Sequence, residues 1–226
     1  YVEGQSEQVL VNRLLSEWWS YTKIKIHNHK QQSQCLVTNY SSGEDESLQN
    51  FFLIVDVTGD GFLCSSIAMN ARKQHQDGYT LIGLRDLHSE DFDKLDPVHK
   101  EKTPEVILMN LHEGLRLANC DQYEKVEIFF SIMEIEAWML AFDNAVFKWA
   151  RGKRHPIPKD LEAIPYPSVL MDEISKAAGY KKNCKALHSV TSFAKHITRD
   201  EIVKVYESNR VPSFNKFWQK ILSVTE

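Results

Sequence analysis

The chain alternates short apolar runs with helical repeats, and each run is closed by a turn. Residues 51–57 (FFLIVDV) are continuously apolar and β-branched, which predicts a strand covered on both faces. Residues 79–85 (YTLIGLR) predict a second strand that ends at Asp86, and residues 125–133 (KVEIFFSIM) a third. Tyr1 and Val2 read as the end of a further buried strand; the chain opens on a motif rather than on Met, so most of that strand is expected to precede Tyr1. Between these runs the period changes. Leu10, Leu14 and Trp18 are spaced by four, as are Val11, Leu15 and Trp19, which predicts a helix over 7–19 with Ser6 as its N-cap and Glu7 in its first turn. A second helix is predicted over 62–76, after a turn at 58–61. The first 86 residues therefore read strand, helix, strand, helix, strand, the order of a parallel sheet with right-handed crossovers.

The remaining stretches are less regular. Residues 27–50 are polar and weakly patterned and predict a flexible insertion or long loop, in which His27 and His29 are expected to face solvent. Residues 88–104 predict a charged loop closed by Pro97 and Pro104, and 106–111 a short strand. A helix is predicted to start at Glu134, with Trp138 in the core. Four of the seven prolines fall in 151–167, which reads as a connecting arm. Short helices are predicted over 169–178, 184–196 and 200–206. A last amphipathic helix covers 214–224, with Phe214, Phe217, Trp218, Ile221 and Leu222 on one face. The expected organisation is an α/β domain over 1–150, a mostly parallel sheet flanked by helices, followed by a helical extension over 151–226.

Charge sharpens that division. Residues 1–144 carry 12 Lys and Arg against 23 Asp and Glu, a net of −11; residues 145–226 carry 15 against 8, a net of +7. An acidic part followed by a basic part is what a metal site with a phosphate grip produces. Mutual attraction of the two parts, or simply solvated faces, accounts for it equally. The cysteines, Cys35, Cys64, Cys120 and Cys184, are scattered without a CxxC pair, which points away from zinc and disulfides and toward a reduced, cytoplasmic setting. No apolar run reaches the roughly 18 residues of a membrane span and no signal peptide is visible, so no membrane association is expected.

Three constellations carry possible chemistry, and each follows a predicted strand. Glu3-Gly4-x-Ser6-Glu7 puts a carboxylate at a strand end beside a glycine that lets the backbone turn. Arg85-Asp86-Leu87-His88 places Asp86 and His88 on one side of an extended segment. Glu134-x-Glu136-Ala-Trp138 adds two more acids. Taken singly, they read as a solvated turn, a cap and helix N-terminal charge. Together they place carboxylates at the ends of three parallel strands, where functional groups gather in such sheets and where a divalent cation relieves their repulsion. No Walker A loop, nucleophile elbow or EF-hand spacing competes.

Val2-Glu3-Gly4-x-Ser6-Glu7 resembles the first motif of Toprim domains, and Leu84-Arg85-Asp86-Leu87-His88 resembles the second, normally Asp-x-Asp. With Glu134-Ile-Glu136-Ala-Trp138 and Tyr180-Lys181-Lys182 in the same order, the chain resembles the stand-alone Toprim proteins of bacterial defence loci, relatives of the OLD-family nuclease domain. The resemblance implies a Mg²⁺- or Mn²⁺-dependent nuclease acting on DNA or RNA, an anti-phage effector controlled by a partner ATPase and able to self-associate. It implies Glu3 as a metal ligand and base, Glu7, Asp86, His88 and Glu136 as further ligands, and Lys182 as the group that stabilises transition-state charge. Lys181, Lys182 and Lys185 would grip nucleic acid. His88 stands where the pattern has a second Asp, with Asp91 as the nearest substitute. That departure leaves open a catalytically weak Toprim module that binds a partner or nucleic acid without cutting.

Overall fold

The computed structural model describes residues 1–19, 22–28, 36–37, 50–58, 62–87, 97–120, 123–180 and 187–225. Five strands are described: β1 (Thr22–Asn28), β2 (Leu36–Val37), β3 (Asn50–Asp56), β4 (Ile82–Asp86) and β5 (Glu127–Ser131). The helices are α1 (Gln5–Trp18), α2 (Leu63–Gln76), α3 (Pro97–Leu117), α4 (Ile135–Ala141), α5 (Asp143–Trp149), α6 (Pro167–Ala177), α7 (Leu187–Ala194), α8 (Arg199–Ser208) and α9 (Pro212–Ser223).

Tyr1 and Val2 form the centre of the sheet. Val2 N–H donates to Val55 O and Val2 O accepts from Val57 N–H, while Leu84 N–H donates to Tyr1 O. Val2 thus bridges β3 and β4 in parallel, and the strand order runs β2-β1-β3-(Val2)-β4-β5. The pairings β1–β3 and β4–β5 are parallel and β2 is antiparallel to β1. The expected α/β class and parallel core are found.

Alternation along the strands sends side chains to two cores. Val2, Ile54 and Leu84 join a core with α1, α4, α5 and α6–α9. Val55, Val57 and Ile128 join the other core with α2 and α3. At Gly83 a Cβ would stand 3.0 Å from Ile128 Cγ1 and 3.1 Å from Ile67 Cδ1, so glycine lets α2 seat directly on β4. The larger core takes residues from both parts of the chain: Leu10, Leu14 and Trp138 pack with Met171, Phe193, Ile202 and Trp218, all fully buried. The C-terminal helices therefore share the core of the sheet's α1 face. Trp138 is buried as expected, with its indole N–H donating to Ser213 Oγ at 2.8 Å.

Glutamates from elsewhere in the chain hold the N-terminal ends of α5, α6 and α9. Glu134 Oε2 accepts the Ser168 N–H at the start of α6 (2.9 Å), and Glu162 Oε1 accepts the Ser213 N–H at the start of α9 (2.8 Å). Glu201, itself buried, accepts the Ala145 N–H at the start of α5 (2.9 Å). Each satisfies an N–H that has no partner within its own helix and puts negative charge at a positive helix end.

Four expectations are corrected. Residues 106–111 are not a strand, and 97–104 are not loop: both lie in α3, with Pro104 inside the helix. Ile107, Leu108, Leu111 and Leu115 form a helical stripe against α2 and the sheet, a period that the short apolar run concealed. The segment 27–50 is not wholly loop, because β1 reaches Asn28 and β2 lies within it; Lys23-Ile24-Lys25-Ile26 alternates as a strand should. The N-cap of α1 is Gly4, not Ser6, and makes no side-chain capping bond.

Replacing Glu201 by Ala strips the α5 N-terminus of its acceptor and is expected to cost about 2 kcal/mol of stability. Glu201→Gln, which still accepts, should cost less than about 1 kcal/mol. Urea unfolding of both variants checks this; an Ala variant as stable as wild type contradicts the cap.

Candidate acidic site at the carboxyl edge of the sheet

Parallel register sets the site. β4 and β5 run side by side with Asp86 opposite Ser131, so these two side chains leave the same face at the same level. The Ser131 hydroxyl donates a hydrogen bond to Asp86 Oδ1. Ser131 is fully buried, so its hydroxyl has a fixed direction. Glu3 follows the central Val2, between β3 and β4. Its Oε2 accepts the Asp86 backbone N–H at 3.1 Å, and its Oε1 lies 3.1 Å from Arg85 Nε. One glutamate is thereby tied to two successive residues of β4.

Glu7 sits at the third position of α1, where a carboxylate faces back toward the helix start. A Cβ on Gly4 would stand 3.0 Å from Glu7 Oε2. Gly4 has extended backbone (φ −153°), so its role is to leave room for the Glu7 carboxylate rather than to permit an unusual turn. Glu136 lies in the first turn of α4, buried, immediately past β5. The turn that delivers it contains Met133 at φ +68°, and the turn after β3 contains Thr58 at φ +60°. Left-handed backbone at non-glycine residues, β-branched in the case of Thr58, is strained, and such strain concentrates at functional edges.

These carboxylates act on one another. Burial pushes the Asp86 carboxyl well above the usual range, and the charges of Glu7, Glu136 and Glu3 push it further, in that order of size after burial. The Ser131 hydrogen bond opposes them. Glu3, Glu7 and Glu136 are all buried. Arg85, one-fifth exposed, is the cation paired with Glu3.

The structure thus brings together Glu3, Glu7, Asp86 and Glu136 from four places in the chain. It separates Glu134 from them, because that side chain caps α6. Asp56 ends β3 at the same edge, but its Oδ1 accepts the Thr58 N–H at 2.8 Å and shapes the following turn. His88, Asp91, Lys181, Lys182 and Lys185 lie outside the described residues, as does the side chain of His27 and all of His29. Ser131 and Arg85 went unassigned by sequence reasoning. Both mark strand ends, and only the cross-strand register reveals what they touch.

An all-oxygen set of buried carboxylates is the donor chemistry of Mg²⁺ or Mn²⁺. A cation among these carboxylates would offset the burial and the neighbouring charges that raise the Asp86 carboxyl. Among the described residues, no three acidic, histidine or cysteine side chains stand at the spacing of a ready-made metal cage. The donors therefore fit the ion in kind, and holding it requires side-chain adjustment. No described helix is long and apolar enough to cross a membrane. The sequence matches no family model, and neither a curated protein nor a solved structure matches this chain.

A raised carboxyl favours folding while it is protonated. That contribution is full below the unfolded value of about 3.9 and is lost as pH rises through the folded one. Asp86→Asn should therefore raise the melting temperature at pH 7 in EDTA, with the gain shrinking toward pH 4. A variant that is less stable at pH 7, or equally shifted at both, contradicts the carboxylate repulsion described here.

Proposed function

We propose that the protein is a Toprim-type, divalent-metal-dependent nuclease that hydrolyses phosphodiester bonds of DNA or RNA. The observation that carries this reading is the set of four mutually repelling carboxylates, Glu3, Glu7, Asp86 and Glu136, at the carboxyl edge of a parallel sheet. These residues would hold Mg²⁺ or Mn²⁺, which when bound supplies an acidified water and neutralises charge on the reacting phosphate.

The chain's own groups do the positioning. Ser131 orients Asp86 through its hydroxyl. The Asp86 N–H and Arg85 hold in place the Glu3 carboxylate, which this reading takes as ligand and base. Gly4 keeps space for Glu7. Lys182, with Lys181 and Lys185, supplies positive charge to the substrate in this reading. The resemblance to the Toprim proteins of defence loci supports a role as an anti-phage effector restrained by a partner ATPase, with self-association, and with 151–226 as the basic extension.

The Arg85–Glu3 pair favours a second reading, a Toprim module that binds without cutting, because it gives one carboxylate a permanent protein cation.

Incubation with plasmid, single-stranded DNA and tRNA in Mg²⁺, Mn²⁺ or EDTA separates the two. Metal-dependent cutting is expected, reduced roughly a hundredfold or more in Glu3→Gln and Asp86→Asn and about tenfold or more in Ser131→Ala. Cutting that survives both carboxylate substitutions refutes the site. Absence of cutting with every metal, in protein freed of any partner, supports the binding module.

A further inference from the structure

A second concave surface lies in the basic part of the chain. Segments from α5, the connection after it and the end of α8 enclose a groove of about 570 Å³. Its charged lining comes from three separate places: Lys153 and Arg154 after α5, Lys204 on α8, and Arg210 beyond α8. The one carboxylate there, Asp143, is already matched, since Arg210 donates to both its oxygens at 2.8 and 2.9 Å. Arg210 is further anchored toward Pro158 O. Lys204, 72% exposed, reaches Asp143 only at 4.0 Å. Lys153 places one donor on Ala177 O and keeps its charge at the rim. Arg154 is exposed. Lys153, Arg154 and Lys204 thus gather a surplus of positive charge around a hollow, which favours the entry of an anion.

The hollow is not purely ionic. Phe147, 40% exposed, stands in its wall beside Val146 and Ile157. His155 lines it too, and its Nε2 is buried with no hydrogen-bond partner among the described residues. An ordinary solvated basic face needs no exposed ring and no recess. A cationic recess with an aromatic wall matches a chain of phosphates carrying flat bases, because any base can stack on the ring while the cations follow the backbone. A duplex shows its bases only by their edges and keeps their faces stacked inside, so an exposed ring that stacks on a base face favours a single strand.

We propose that this groove binds single-stranded nucleic acid, with Lys153, Arg154 and Lys204 on backbone phosphates and Phe147 stacked on a base. The choice of ligand rests on the nucleic-acid reading above, but binding here does not depend on cleavage.

Fluorescence anisotropy of the full chain with a labelled oligothymidylate, in EDTA, tests it. Arg154→Ala/Lys204→Ala should weaken binding about tenfold or more at about 0.1 M salt and flatten the log–log salt dependence by about 1.4. Phe147→Ala should weaken it about tenfold, and Phe147→Trp should retain it. Lys73→Ala, which removes an exposed charge on α2, in the part of the fold built on the other core, should bind like wild type. Circular dichroism confirms that each variant is folded. Wild-type affinity in the folded double variant overturns the proposal, as does absence of binding by the wild type. Equal competition by polyglutamate assigns the groove to an acidic protein and overturns it too. Groove variants that bind and cut like wild type remove the groove and leave the nuclease reading intact. A wild type that binds through the groove yet never cuts removes the nuclease reading and leaves the groove.

Discussion

The burial of Asp86 beside Glu7, Glu136 and Glu3 is the constraint around which the carboxyl edge of the sheet is built. Like charges in a partly desolvated place are costly, and the fold holds them there with specific means. Ser131 hydrogen-bonds Asp86, Arg85 pairs with Glu3, and the Asp86 N–H also binds Glu3. Strained turns at Thr58 and Met133 flank the edge. In the proposed reading, negative charge held by the Asp86 N–H, Ser131 and Arg85 is the arrangement that a bound cation would complete.

The rest of the molecule keeps that edge rigid. α1 and α4 deliver Glu7 and Glu136, and both helices are buried in the core shared with α6–α9. Glu134, Glu162 and Glu201 tie the C-terminal helices by accepting backbone N–H groups at helix starts. Acidic residues in this protein thus do two kinds of work. Some neutralise helix ends within the scaffold, and others are left facing one another at the sheet. Glu134 and Glu136 show how local the distinction is. Glu134 has extended backbone and points to α6, whereas Glu136, in the first turn of α4, belongs to the acidic set.

Much of the frame was legible from apolar runs ending in acids. Residues 51–57 and 79–85 marked β3 and β4, and their order implied the parallel sheet in which Glu3 and Asp86 converge. Tyr1 and Val2 read as the end of a buried strand, and their place between β3 and β4 emerges only from the pairing. Ser131 and Arg85 were hidden because their meaning lies in register and pairing, which local pattern does not encode. β1 was hidden because lysines occupy its alternate positions and the polar residues beyond it dominate the average. α3 was hidden by Pro97, Pro104 and dense charge, although Leu111 and Leu115 already stood one helical turn apart.

The central claim is that the acidic edge is a divalent-cation site, and calorimetric titration with Mn²⁺ at pH 7 measures this most directly. The account predicts saturable binding to the wild type, lost in Asp86→Asn and weakened in Ser131→Ala, with both variants folded. No binding by the wild type, or undiminished binding by Asp86→Asn, would contradict it.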